Sequence, residues 1–214
     1  MKMKTTLCHL WRVLFAAAMP LLSGLAEDSS VQRATEAEVK TDAFRFEVAS
    51  MRAQVSSTLR QLQLLQKDGS DLRLAFDQYC ADLDKMDKVA KQAADRAGKM
   101  ETNSSAFFQN WEQQVGLIQN KEIRQVAQER YNRRKQSYAK IVTSMDETRK
   151  AVTPFVSLLK DIKKLLEIEL NQGSIRSANK ILAEAKWKGA DVEEELYNTI
   201  VELDRLSTEF GRYR

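Results

Sequence analysis

The chain has 214 residues, a formal net charge of +4, one histidine and two cysteines. Lys2, Lys4 and Arg12, with no acid among them, lie in the first 26 residues together with Cys8, His9 and Pro20, so the remainder carries a formal charge of +1, no histidine, one cysteine (Cys80) and one proline (Pro154). That remainder lacks the residues for the usual metal site, a Ser–His or Cys–His nucleophile pair or a disulfide framework, and its near-neutral balance gives no electrostatic warrant for nucleic acid.

The first segment reads as an export signal. Basic residues precede an apolar run, Val13 to Ala26, that ends in small residues, and Gly24 and Ala26 fit the positions before a cleavage site. The run is about 14 residues, short of the ~20 that span a bilayer. Cleavage after Ala26 and a periplasmic or secreted location are therefore expected. The roughly 188 residues left are enough to bury a core without covalent staples.

Residues 27–35 are polar and aperiodic and read as a flexible lead to a single domain over 36–214. From there apolar residues recur at alternating steps of three and four, the spacing that keeps one stripe of a helix against a partner. Helix one, about 36–67, carries Phe44, Val48, Met51, Val55, Thr58, Leu62 and Leu65, and stops at Asp68-Gly69-Ser70. Asp71 is placed to cap helix two, about 71–119, whose stripe runs Phe76, Tyr79, Leu83, Met86, Ala90, Ala93, Ala97, Met100, Ser104, Phe107, Trp111, Gln114 and Ile118. Its phase survives the poor helix formers at 101–105, so one helix of roughly 70 Å is expected. The alanines of its middle promise the least stable part of the fold.

Asn120 marks the next turn. Helix three, about 121–170, begins loosely with Ile123 and Val126 and settles into Tyr138, Ile141, Met145, Thr148, Val152, Phe155, Leu159, Ile162 and Leu166. Pro154 lies within that phase and predicts a bend without a break. After Asn171-Gln172-Gly173, helix four, about 174–212, carries Ile175, Ala178, Leu182, Ala185, Gly189, Val192, Leu196, Thr199, Leu203, Leu206 and Phe210, continuous through Gly189. The fold class is all-α: an elongated antiparallel bundle of about four long helices with coiled-coil-like heptad packing. The first helix is the shorter, so the longer ones should overhang it, and a homodimer through that overhang is expected.

Several clusters invite a chemical reading, each beside a plainer one. Cys80 reads as a small half-buried side chain, against an intermolecular disulfide or reactive thiol. Arg130, Arg133, Arg134 and Lys135, and Lys160, Lys163 and Lys164 with Asp161 and Glu167, read as solvated helix faces, against nucleic acid, an anionic membrane surface or an acidic partner. Glu193, Glu194 and Glu195 point in different directions on a helix, which argues against paired-carboxylate chemistry. Trp111 and Trp187 read as packing residues, and Asn103-Ser104-Ser105 as a glycosylation pattern poorly placed in mid-helix. No catalytic, cofactor-binding or metal-ligating residue and no cofactor are expected.

Phe107-Phe108-Gln109-Asn110-Trp111-Glu112, then Ile118-Gln119-Asn120, Tyr138, Met145, Pro154-Phe155 and Leu158-Leu159-Lys160-Asp161, resemble the bacterial domain-of-unknown-function family numbered 2959, over about Phe46 to Phe210. The resemblance implies a predominantly helical, often coiled-coil, exported protein and carries over no catalytic residues. The functional expectation is a non-enzymatic scaffold or protein-interaction module in the bacterial envelope. The alternatives are a peripheral membrane-surface protein, or a DNA-associated coiled coil if the N-terminus is no export signal.

Overall fold

The computed structural model of the protein describes residues 22–67, 69 and 71–211, and the side chains of 41–67, 69 and 71–208. The chain divides into two units, residues 1–37 and 38–214. The expected export signal falls largely on residues 1–21, outside the described residues. Described residues 22–37 of the first unit are helical and begin α1 (Leu22–Leu65). Residues 27–35, expected as an irregular lead, thus lie in a helix. Their polar side chains remove the apolar stripe, but with no Gly or Pro between Ala26 and Glu36 nothing interrupts the backbone ladder.

Short polar caps set the remaining boundaries. Gly69, with φ of 76°, takes the left-handed conformation in the turn after α1; its neighbours Asp68 and Ser70 lie outside the described residues. The Asp71 carboxylate accepts from Leu74 N–H at 3.0 Å and caps α2 (Leu72–Leu117). Asn120 Oδ1 accepts from Glu122 and Ile123 N–H at 3.0 and 3.1 Å at the head of α3 (Lys121–Ile168), and Arg124 Nε donates to Ile118 O across the turn at 2.7 Å. Asn171 caps the short α4 (Gln172–Ser177), accepting from Ser174 N–H at 2.8 Å.

The expected fourth helix is two. Ala178, at φ −82° and ψ 0°, separates α4 from α5 (Asn179–Gly211). The phase Ile175, Ala178, Leu182 crosses this junction unbroken, all three being buried, which is why the sequence pattern did not reveal it. α5 then continues through Gly189, α3 through Pro154 and α2 through residues 101–105. In that last stretch the Ser104 and Ser105 hydroxyls donate to the Glu101 carbonyl and Thr102 to that of Gly98, satisfying themselves on the helix they were expected to weaken.

Within the second unit, α1, α2, α3 and α5 form a closed antiparallel cycle. Arg45 pairs with Asp204, Ser56 with Glu193, and Gln66 with Asn179, so α1 and α5 run in opposite directions. Glu47–Arg96 and Ser57–Asp82 do the same for α1 and α2, the Tyr79 and Tyr138 hydroxyls on the carbonyls of Leu159 and Met100 for α2 and α3, and Thr148 on Thr199 with Ser207 on Asp42 complete the round. Among the described residues there is no strand.

The stripes meet inside this cycle. All seven α1 stripe residues are buried, and on α5 so is every stripe residue from Leu182 to Leu206. Burial of each Leu, Ile, Met or Phe contributes about 1.5–3 kcal/mol. Two stripe ends read differently. On α2 the exposed residue is Gln114 and the buried one Val115; on α3, Ile123 and Val126 face solvent while Tyr131, taken in sequence as part of a basic cluster, is 3% exposed. α1 holds 44 residues, of which 38–65 belong to the second unit, against 46 in α2, 48 in α3 and 33 in α5.

Candidate functional site

Two features stand apart from a filled core. The first is a crevice of about 400 Å³ in the middle of the bundle. It forms where α2 changes from Phe76, Tyr79, Leu83 and Met86, all buried, to the half-buried Ala90, Ala93 and Ala97. The facing helices keep large residues there: Phe44, Val48 and Met51 from α1, Met145, Val152 and Val156 from α3, Leu196 from α5. Helix spacing is held on both sides of the alanines. Tyr79 Oη donates to Leu159 O at 2.6 Å on one side, and Tyr138 Oη to Met100 O at 2.8 Å on the other. Close-packed rigid helices cannot pinch in over so short a stretch, and a gap remains.

The exposed residues bordering the gap lie on α2 and α3, so its mouth is their seam. Asp87 accepts from Lys91, at 2.7 Å, and from Lys160 across the seam; Arg149 stands further along. The Lys160 ammonium, and then that of Lys91, hold the Asp87 carboxyl below the usual carboxylate range. Deep in the gap the hydroxyls of Thr148 and Thr199 are 3.0 Å apart, and Thr199 also meets Ser144 at 3.0 Å, so the buried polar atoms there are satisfied.

The second feature is the closed end of the α2–α3 hairpin. Phe107, Phe108, Trp111, Tyr131 and Tyr138 form one aromatic pile, with Phe108 and Trp111 stacked at 5° and Tyr131 edge-on to both. The Arg134 guanidinium lies 5.6 Å from the centre of the Trp111 ring. Lys135 donates to Tyr131 Oη at 3.0 Å, which raises its pKa, and Tyr131 reaches Glu112 at 3.4 Å. Beyond the pile Leu117, Ile123 and Val126 are 68%, 58% and 51% exposed. Thr199 of α5 packs beside Ser144 and Thr148, and α5 ends at Gly211, so the first turns of α3 lie past its end.

A family model described as a protein of unknown function, DUF2959, matches residues 32–209. The chain belongs to the DUF2959 family. No curated protein and no solved structure matches it. The DUF2959 match spans the crevice, the aromatic pile and the exposed hairpin end alike.

In this DUF2959 chain the clusters singled out from sequence separate. Of the Arg130 cluster, Arg134 and Lys135 lie against the aromatic pile. The Lys160 cluster turns toward α2, where Lys160 meets Asp87 and Lys163 meets Asp84 at 3.9 Å, while Lys164 keeps to Asp161 at 3.5 Å. Glu193 accepts from Ser56, Glu194 is exposed, and Glu195 offers its backbone carbonyl to Thr148, so the three carboxylates share no site. Cys80 is half-buried, and burial pushes its thiol pKa up. Trp111 packs; Trp187, expected to do so, is 74% exposed on α5 between the buried Ala185 and Gly189. Two positions from each stripe residue, Trp187 is turned about 200° away on the helix and falls on the outer side. Asn103 is exposed on the side of α2. Among the described residues no helix is long and apolar enough to cross a membrane, and no group of three His, Cys, Asp or Glu is placed to hold a metal ion. Sequence reasoning missed the crevice, although its alanines had been singled out for weakness. Small residues on one helix leave space only if the partners stay apart, and that depends on the tyrosine contacts above and below.

Proposed function

We propose that the protein is a non-enzymatic interaction module of the bacterial envelope that engages a partner protein through the end of its α2–α3 hairpin. The observation that carries this reading is the grouping of Leu117, Ile123 and Val126, all more than half exposed, in the last turn of α2 and the first two turns of α3. Apolar side chains gathered at one end of a rigid hairpin are the ordinary signature of a contact surface. The aromatic pile behind them stiffens that end. The export signal read in residues 1–26, and a remainder without histidine, support an envelope protein with no enzymatic chemistry.

A photo-crosslinking amino acid placed in cells at Leu117 or Ile123 tests this. A discrete adduct from these two positions, absent from a probe at exposed Glu194, is the expected result, in an envelope fraction whose mature N-terminus lies near Glu27. Equal labelling from all three positions, or a cytosolic protein with an intact N-terminus, overturns it. A second copy is one candidate for the adduct, and light scattering at high micromolar concentration separates the dimer from a foreign partner. The membrane-surface reading draws on the same end, where the exposed Lys121 and Arg124 flank the apolar residues. Sedimentation with anionic liposomes distinguishes the two.

A further inference from the structure

The crevice has a shape and a charge pattern that the hairpin end does not explain. Its wall is apolar on four helices. The residues bordering it on α3 run from Met145 to Lys160, about 22 Å at 1.5 Å per residue. Its volume of about 400 Å³ lies within the ~300–1,000 Å³ of small-molecule sites, near the small end. A long, narrow, apolar space of that size suits one extended chain. A compact ring system leaves its length unused, and a lipid with two chains needs twice the apolar volume.

The rim supplies the polarity of the occupant. Lys91 and Lys160 border the gap around one carboxylate, Asp87, while Arg149, further along, pairs with Asp146 at 3.0 Å. Lys91 and Lys160 meet Asp87 at one end of the crevice. At the other end the wall is Phe44, Ala97 and Met145. An ammonium carries three donor hydrogens, so either lysine can keep Asp87 and still donate to a second anion. Both side chains are open to such a partner, 75% and 47% exposed. A positively charged head would face two like charges there against one carboxylate, and a neutral one would leave the excess of one uncompensated.

We propose that the crevice is a binding site for one long-chain fatty acid, with its alkyl chain along Ala90, Ala93 and Ala97 and its carboxylate between Lys91 and Lys160. The alanines are then the floor of a site. The chain displaces water from an apolar channel, which supplies affinity, and the two lysines set which end enters last.

The test titrates the purified full-length protein with palmitate below its aggregation concentration, using equilibrium dialysis and the carboxyl resonance of carbon-13-labelled palmitate. The expected result is saturable binding of one equivalent, with methyl palmitate and hexadecylamine at least tenfold weaker. Substituting both Lys91→Gln and Lys160→Gln, at exposed positions, weakens palmitate at least tenfold and leaves methyl palmitate unchanged. Ala93→Leu fills the crevice from its floor and removes binding while the thermal midpoint stays or rises. Palmitate that fails to saturate, that binds no better than its methyl ester, or that binds the Ala93→Leu protein as well as the parent overturns the proposal. A lowered midpoint in Ala93→Leu leaves the decision to the lysine pair, whose indifference to palmitate overturns it equally.

Discussion

Gly189 shows how a single residue fixes a helix contact. A Cβ added there would stand 2.7 Å from Leu59 Cδ1 and 3.1 Å from Leu59 Cγ, so α1 and α5 approach at a position that has no side chain. Gly189→Ala gains about 1 kcal/mol of helix propensity and loses a comparable amount to the displaced Leu59, so urea unfolding should place it within about 1 kcal/mol of the parent. Gly189→Leu cannot be absorbed by the end of one side chain and should cost about 1–3 kcal/mol in the same measurement. Asp87 gives a pH signature. Lys160 and Lys91 depress its folded pKa, so its contribution is complete above the unfolded carboxylate value of about 4 and disappears as pH falls through the folded value. The stability gap between parent and Asp87→Asn, below about 1 kcal/mol because the lysines are exposed, should therefore be present at pH 7 and vanish toward pH 2. The residues that sequence misjudged, Tyr131 and Trp187, are aromatics within one or two positions of a stripe. Composition alone gives no sign of which side of the helix such a residue takes.

At the scale of the element, α2 is three helices in one. Its first part is locked by Phe76, Tyr79, Leu83 and Met86, its middle borders the crevice, and its end joins the aromatic pile. Local opening follows buried apolar contact, so amide hydrogen exchange should be slowest over 76–86 and markedly faster over 90–97, at equal helicity. Equal protection along the helix would contradict the crevice. The sequence was legible here in register but not in fill. Steps of three and four placed every α1 stripe residue in the core, because burial on one face needs only a local period. The junction at Ala178 preserved that period and so stayed hidden, and Gln114 for Val115 shows the same period slipping where α2 approaches its end.

At the largest scale, the second unit holds together as a closed cycle in which α1, α2, α3 and α5 each lean on two neighbours, so a defect on one inner face is felt on all. Leu83 and Leu196 are 1% exposed, and a carboxylate at either position would be buried without a partner. Leu83→Asp and Leu196→Asp should each cost more than about 4 kcal/mol and abolish a cooperative thermal transition followed by circular dichroism, whereas Glu194→Lys stays within about 0.5 kcal/mol of the parent. By itself the sequence determined the helical class, the inward face of each helix and the membership of a family, because amphipathic period, turn residues and caps are written within a few residues of one another. The tertiary structure alone decided the order of helices around the core and the presence of the crevice. Those depend on distances between segments far apart in the chain, where the size of a residue on one helix matters only against what the opposite helices allow.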